Sequence, residues 1–372
     1  MSGTGLVVLA AGGTGGHMFP AEALARALLT RGRRVALVTD SRGESWGERL
    51  PGVALHRIRA GRLGGNLLRK ALGFVELALG TLEAGRHLRA LAPAAVVGFG
   101  GYPSVPTMLA AARQRRPTVI HEQNAILGRA NRLLASRARR IATSFAEVTG
   151  LDAADRSRET ETGNPVRPAV AAMRGTPYRE SRGDAGFEIL VLGGSQGARI
   201  LSAVIPAALA QLPEPLRSRL RITQQARPEA ADGVRAAYAA SGIGAEIRPF
   251  FDDVPARLAR AQLVIARSGA STVAELTVIG RPAILVPYRY AADDHQTANA
   301  RALEAAGAAW VMSESTFTAQ ALSHRLAAQM EAPESLAKAA RAAHDLGRPD
   351  AAERLADLVL ATAGDAVGEA AA

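Results

Sequence analysis

The sequence predicts an α/β protein made of two similar halves, and three observations predict it. Short β-branched runs alternate with longer alanine- and leucine-rich stretches of helical spacing, the pattern of βαβ units around a parallel sheet. A strand, a glycine loop and a helix follow one another near the start, over 6–17, and again over 188–197. The 372 residues exceed one ordinary core and divide into about two domains of ~150 residues.

Taken in order, Leu6–Ala10 reads as a first buried strand, and the helix predicted from about Pro20 to Arg31 ends on Gly32 as its C-cap. Val35–Thr39, Ala95–Gly98 and Thr118–His121 read as further strands. The last two carry glycine or polar residues just past their carboxyl ends, where ligands collect in such sheets. From Arg156 to Gly186 the chain turns charged and bears Pro and Gly, with Asn164-Pro165-Val166-Arg167-Pro168 in the middle, which predicts a domain junction. Glu188–Leu192 restarts the pattern. The strands Leu263–Ala266 and Ala283–Pro287 follow, then terminal helices over about 319–361.

Hydrophobic residues are 48%, charged residues 21% and mean hydropathy is +0.04, so the chain is neither a disordered tail nor a collagen-like fibre. The absence of cysteine removes disulfides, thiolate metal sites and cysteine nucleophiles, and fits a reducing compartment. No basic region precedes Leu6–Ala11, and no run reaches the ~18 apolar residues of a membrane span, so a cytoplasmic protein is expected. Lys+Arg 45 against Asp+Glu 34 gives +11, which calls for an anionic partner: nucleic acid, a membrane surface or a phosphorylated substrate. Only Lys70 and Lys338 are lysines, so the excess also reads as arginine in ordinary surface positions. Dispersed arginines and 4% aromatics offer few stacking platforms and argue against nucleic acid.

Gly12-Gly13-Thr14-Gly15-Gly16-His17 lies between a strand and a helix, where backbone amides and the helix dipole can face an anion. It reads as a phosphate loop or as a plain tight turn, and its repetition at Gly193-Gly194-Ser195-Gln196-Gly197 favours the first. It is not a dinucleotide fingerprint, because Met18 breaks the glycine spacing; a nicotinamide dehydrogenase would also leave the second loop idle. Arg267-Ser268-Gly269-Ala270-Ser271-Thr272-Val273-Ala274-Glu275 follows a strand, with Ser271 or Thr272 as expected N-cap and Glu275 in the first helical turn. There Glu275 either accepts from the vicinal hydroxyls of a ribose or simply favours a helix N-terminus. Gly98-Phe99-Gly100-Gly101-Tyr102-Pro103-Ser104 precedes a helix expected near Thr107 and reads either as a loop that holds a second phosphate or a sugar or as a buried irregular turn. His121-Glu122-Gln123-Asn124 places four hydrogen-bonding side chains at a strand's carboxyl end. Asp252-Asp253 and Asp293-Asp294 are adjacent pairs whose members point apart, so no metal is expected. The charge of a departing diphosphate then falls to Arg167, Arg267 and helix amides.

These motifs, in this order, resemble the MurG family of GT-B glycosyltransferases of peptidoglycan synthesis, through GGTGGH at 12–17, GFGGYPS at 98–104, HEQN at 121–124, GNPVR at 163–167, GGSQGAR at 193–199 and RSGASTVAE at 267–275. The resemblance spans nearly the whole chain. It implies two Rossmann-like domains whose parallel sheets face a cleft: residues 1–165 for acceptor and membrane, joined by a helix at about 348–362; residues 166–347 for UDP-GlcNAc; and a frayed tail over 363–372. It implies inverting transfer of GlcNAc from UDP-GlcNAc to O4 of MurNAc in undecaprenyl-pyrophosphoryl-MurNAc-pentapeptide, without cofactor, at the cytoplasmic face of the inner membrane. Donor contacts are implied at Thr14, Gly15, Gly16, Asn124, Arg167, Ser195, Arg267 and Ala270. Uracil falls near the Phe251 backbone, ribose at Glu275 and GlcNAc hydroxyls at Gln296. The acceptor diphosphate falls to Gly13, Gly100, Gly101, Tyr102 and Ser104. A UDP-GlcNAc epimerase on the same plan is the nearest alternative and needs no lipid acceptor.

Inversion by one in-line displacement needs a single general base. His17 is the first candidate, since imidazole is the side chain suited to proton transfer near neutrality, and Glu122 the second, either as base or as orienter of an imidazole; His17 also suits hydrogen bonding to a phosphate or sugar. Leu68, Leu72, Val75, Leu79 and Leu82 follow helical spacing, with Arg62, Arg69, Lys70, Arg86 and Arg89 around them. Most of these apolar residues are expected to pack on the sheet. Part of the segment, led by Leu67 and Phe74, is expected to face lipid while Arg69 and Lys70 meet anionic headgroups.

Overall fold

The structure is a computed structural model that describes residues 5–12, 15–41, 50–61, 67–194 and 197–370, with the backbone alone described at 67–71 and 365–370. The chain forms two compact units, Met1–Arg167 with Asp350–Ala372, and Pro168–Pro349.

In the first unit the strands are β1 (Val7–Ala10), β2 (Val35–Thr39), β3 (Ala54–Arg57), β4 (Ala95–Gly98), β5 (Thr118–Glu122), β6 (Arg140–Thr143) and β7 (Glu159–Glu161). They pair in parallel in the order β3-β2-β1-β4-β5-β6-β7. Alternation along β1 sends Val7 and Leu9 into one core layer and Val8 and Ala10 into the other, so both faces are covered. The chain reverses its winding between β1 and β4, and the glycine loops after both strands therefore open at the switch point, where such sheets bind ligands.

The second unit repeats the plan with β8 (Phe187–Leu192), β9 (Leu220–Gln225), β10 (Gly244–Arg248), β11 (Leu263–Ala266), β12 (Ala283–Leu285) and β13 (Ala309–Val311), all parallel, in the order β10-β9-β8-β11-β12-β13. Its switch point lies between β8 and β11. The loops 193–197 and 267–269 leave from there.

The last helix, Ala351–Ala370, belongs to the first unit: Leu355, Ala356 and Val359 are fully buried in the layer that holds Val7 and Leu9. Arg31 donates to Glu353 and Asp357, and Arg354 donates to the Glu161 carbonyl, which fixes its register. The helix runs through Gly364 and Gly368 to Ala370, in a stretch where the sequence predicts a frayed tail over 363–372.

The helix Leu67–Leu91 reverses a second expectation. Leu72, Phe74, Val75, Leu79 and Leu82 are exposed, with Phe74 at 60% and Leu82 at 61%, while Gly73, Gly80, Ala84, Gly85 and Leu88 are buried. Its packing face is made of small residues. A Cβ on Gly80 would collide with the Arg59 carbonyl, and Gly85 faces Ala110 on the helix Ser104–Arg113. Backbones approach closely on that side, where Leu77, Leu88 and Leu91 also reach the core, and leave Leu72, Leu79 and Leu82 on the other.

Candidate active site

In the first unit the helix Gly15–Thr30 begins inside the glycine motif, five residues before the expected start at Pro20, so Gly15, Gly16 and His17 supply N-terminal amides that no helical carbonyl accepts. Pro20, the sixth residue of the helix, has no N–H to give the Gly16 carbonyl. Gly13 and Thr14 lie outside the described residues. Gly100 and Gly101 both have positive φ, at 79° and 71°, and a Cβ on Gly101 would stand 3.2 Å from His17 Nε2. These two glycines make room for the imidazole. Tyr102 is half-buried beside them.

Ser104 is fully buried and starts its helix three residues earlier than expected. Its Oγ donates to the Gly101 carbonyl at 3.0 Å, so it secures the loop instead of offering that proton to a diphosphate.

Glu122, at 2% exposure, accepts from Asn124 N (3.0 Å) and Asn124 Nδ2 (3.1 Å) at Oε1, and from Gly128 N (2.8 Å) and Asn131 Nδ2 (2.8 Å) at Oε2. Four donors occupy both oxygens. The carboxylate organises the turn after β5 and holds Asn124. Gln123 Oε1 lies 3.1 Å from His17 Nδ1 and joins the HEQN motif to the first glycine motif. Arg167, the last residue of the first unit, lies with its guanidinium carbon 5.5 Å from the Phe19 ring centroid.

In the second unit Gly194 and Gly197 have positive φ, and a Cβ on Gly193 would crowd Gly197 and Ala198 N. Gln225 braces this loop by accepting from Gly193 N at 3.2 Å and donating to the Pro249 carbonyl at 3.1 Å. Ser195 lies outside the described residues. The helix Ala270–Ile279 takes Gly269 as its N-cap without a side-chain cap, which replaces the expected Ser271 or Thr272 and moves Glu275 into the second turn. Glu275 still shares a face with Ser271 by four-residue spacing, and Ser271 Oγ is buried with no hydrogen-bond partner.

Arg267 Nη1 donates to the carbonyls of Val286 (3.0 Å) and Pro287 (3.2 Å) and pairs with Glu314 at 2.7 Å, both side chains being mostly buried. Its charge is already met. Arg267 braces the loop that leads into the helix Ala270–Ile279. Gln296 Oε1 accepts from Tyr288 N at 3.0 Å, which leaves Nε2 to donate to a sugar hydroxyl. Phe251 is buried under Arg257, 4.4 Å from the ring centroid.

The chain matches the glycosyltransferase family 28 N-terminal domain over residues 7–143 and its C-terminal domain over residues 188–355. A Rhodospirillum centenum protein named UDP-N-acetylglucosamine--N-acetylmuramyl-(pentapeptide) pyrophosphoryl-undecaprenol N-acetylglucosamine transferase is 60% identical over 96% of this chain and 94% of its own.

The chain belongs to the MurG family.

A Rhodospirillum rubrum relative of the same name is 53% identical over 98% of this chain and 93% of its own. The crystal structure of Acinetobacter baumannii MurG matches with a TM-score of 0.80 at 31% identity, over 96% of this chain and 99% of that one. A UDP-GlcNAc 2-epimerase from Neisseria meningitidis has a TM-score of 0.66 over 95% of this chain and 99% of its own; at 13% identity it shares the fold alone. The two parallel-sheet units and these neighbours make the MurG-family chain a GT-B glycosyltransferase. Asn131, Gln225 and Glu314, which hold the motif residues in place, carry no sequence signal of their own. Gln123 stood inside a motif, but its partner lay 106 residues away.

Proposed function

We propose that this chain is an inverting, metal-independent hexosyltransferase that moves GlcNAc from UDP-GlcNAc to O4 of MurNAc in undecaprenyl-pyrophosphoryl-MurNAc-pentapeptide. The observation that carries the reading is the 60% identity, over 96% of the chain, to a relative named for that reaction. The site geometry supports it. The second unit offers donor groups: helix-start amides and Ser271 for the diphosphate, Glu275 for ribose, backbone near Phe251 for uracil, Gln296 Nε2 for the sugar. The first unit offers His17 beside the glycine loop at 98–104 for the acceptor, with amides at 15–17 and 100–101 for its diphosphate.

His17 is the base. The acceptor O4–H proton passes to the imidazole, the oxygen's electron pair forms the bond to the anomeric carbon, and the carbon–oxygen bond to UDP breaks with its electrons leaving on the phosphate. Amide dipoles aimed at that phosphate stabilise the charge as it develops. Glu122 keeps Asn124 and its turn in place.

The acceptor's prenyl chain stays in a bilayer, and among the described residues no helix is long and apolar enough to cross one. The exposed face of Leu67–Leu91, with Phe74, Leu82 and the exposed Arg86 and Arg89, suits peripheral contact with the anionic cytoplasmic face of the inner membrane. Of the expected contacts, the side chains of Leu67, Arg69 and Lys70 lie outside the described residues.

Incubation with UDP-GlcNAc and a lipid-linked MurNAc-pentapeptide, with and without EDTA, tests the reaction. The expected products are a β1,4-linked disaccharide lipid and an equal amount of UDP in both cases. Epimerised UDP-sugar without an acceptor product contradicts the reading.

A further inference from the structure

A chain of hydrogen bonds runs through the first unit from a main-chain carbonyl to His17, and its two ends fix every proton along it. His121 is fully buried, and its Nε2 lies 3.1 Å from the Gly163 carbonyl. A carbonyl only accepts, so Nε2 carries the proton and Nδ1 of the neutral ring carries the lone pair. Gln123 is also buried, and its Nε2 lies 2.9 Å from His121 Nδ1, 3.0 Å from the Phe99 carbonyl and 3.0 Å from the His121 carbonyl. Three acceptors around one amide atom require the NH2 group there, so the oxygen Oε1 faces His17. That oxygen can only accept, and His17 Nδ1, 3.1 Å away, must donate.

We propose that Gln123, oriented by His121 and the Gly163 carbonyl, is a positioning residue that locks His17 as its Nδ1–H tautomer and so places the basic lone pair on Nε2. This rests on reading His17 as the base. Nε2 is the ring nitrogen beside Gly101, on the loop that the resemblance gives to the acceptor diphosphate. In transfer, the bond from the acceptor oxygen to hydrogen breaks, a bond from Nε2 to that hydrogen forms, and the oxygen's electron pair goes to the anomeric carbon as UDP leaves. Nδ1 keeps its proton and its bond to Gln123 throughout.

Every buried member of the relay is neutral, so it orients the ring without placing an ion in the core, where an unpaired charge would be costly. Burial pushes the His121 imidazole down to about 4, which keeps the ring neutral at neutral pH, and the Gly163 carbonyl sets its tautomer. The relay also explains why four separated motifs meet. Gly163 opens GNPVR, Phe99 belongs to GFGGYPS, His121 and Gln123 to HEQN, and His17 to GGTGGH.

The test is ¹⁵N NMR of the full chain labelled at histidine, with the His17 and His121 signals assigned by His17→Gln and His121→Gln. The expected spectra show opposite tautomers, His17 protonated at Nδ1 and His121 at Nε2. In Gln123→Met, His17 is expected to become a mixture, with kcat down by roughly 10- to 100-fold and KM for UDP-GlcNAc within about twofold, the size seen when a residue that orients a functional imidazole is removed. His17 protonated at Nε2 in the native chain, or unchanged kcat in Gln123→Met, overturns the proposal. Full turnover in His17→Gln overturns the base reading instead; opposite tautomers would then still show that the hydrogen-bond chain has the stated polarity.

Discussion

Gly80 sits directly beneath the carbonyl of Arg59, so close that a side-chain carbon at position 80 would overlap that oxygen. This approach turns the helix Leu67–Leu91 so that Gly73, Gly80, Ala84 and Gly85 face the protein, with Leu88, while Leu72, Phe74, Val75, Leu79 and Leu82 face outward. Gly80→Ala is expected to destabilise the first unit by about 1–3 kcal/mol, as overpacking does, because backbone cannot move aside as a flexible side chain can. Thermal denaturation checks it. An unchanged midpoint would mean that the helix is not seated on the Arg59 segment.

The outward face gives the second expectation. Phe74→Glu combined with Leu82→Glu replaces two exposed apolar groups, so the folding midpoint should move little, within about 0.5 kcal/mol, as for ordinary surface substitutions. Binding to vesicles of anionic lipid should fall several-fold. If sedimentation with vesicles is unaltered, this face is not the one that meets the bilayer.

Glu122→Gln separates an organising carboxylate from a catalytic one. The replacement puts an NH2 group against N–H donors that the carboxylate accepts, at a cost of about 1–3 kcal/mol for the pairs lost. The expected result is a lower midpoint with turnover reduced less than in His17→Ala. Loss of turnover equal to His17→Ala with an unchanged midpoint would restore Glu122 as base.

His121 makes stability depend on pH in a stated direction. Burial depresses its folded pKa from 6.5 to about 4, the bond to Gly163 offsetting part of that and His17 adding to it. Between those values the unfolded chain binds the proton and the folded chain does not, so this contribution is complete above pH 6.5 and is lost as pH falls toward 4. At 1.36 kcal/mol per unit it amounts to about 3 kcal/mol. Urea titrations of the native chain and of His121→Gln should therefore converge by about that amount between pH 7 and pH 4. Parallel curves would show that the imidazole protonates in the folded state as readily as in the unfolded one.

Much of this was legible in the residues, for physical reasons that also explain the gaps. Val35–Thr39, Ala95–Gly98 and Leu263–Ala266 are central strands buried on both faces, so they read as unbroken apolar runs and appear where expected. Arg140–Thr143 and Glu159–Glu161 are short, charged strands near an edge. β7 falls inside the stretch read as a junction, because pairing with a neighbour and not its own composition makes it a strand. The glycine loops announced themselves because positive φ and close approach admit few alternatives. Local sequence does not show which side of a helix packs on small residues, and the glycines at 73 and 80, seven apart, were the available signal on Leu67–Leu91. Nor does it show that Arg267 is already neutralised by Glu314, 47 residues later.

The transfer chemistry depends most directly on His17. Turnover with saturating UDP-GlcNAc and lipid-linked acceptor, measured beside UDP-GlcNAc affinity by calorimetry, should show His17→Ala losing about 10²- to 10⁴-fold in kcat, the range for a general base, with donor affinity within about twofold. Equal losses in turnover and affinity would make His17 a binding group, and an undiminished kcat would remove it from the chemistry altogether.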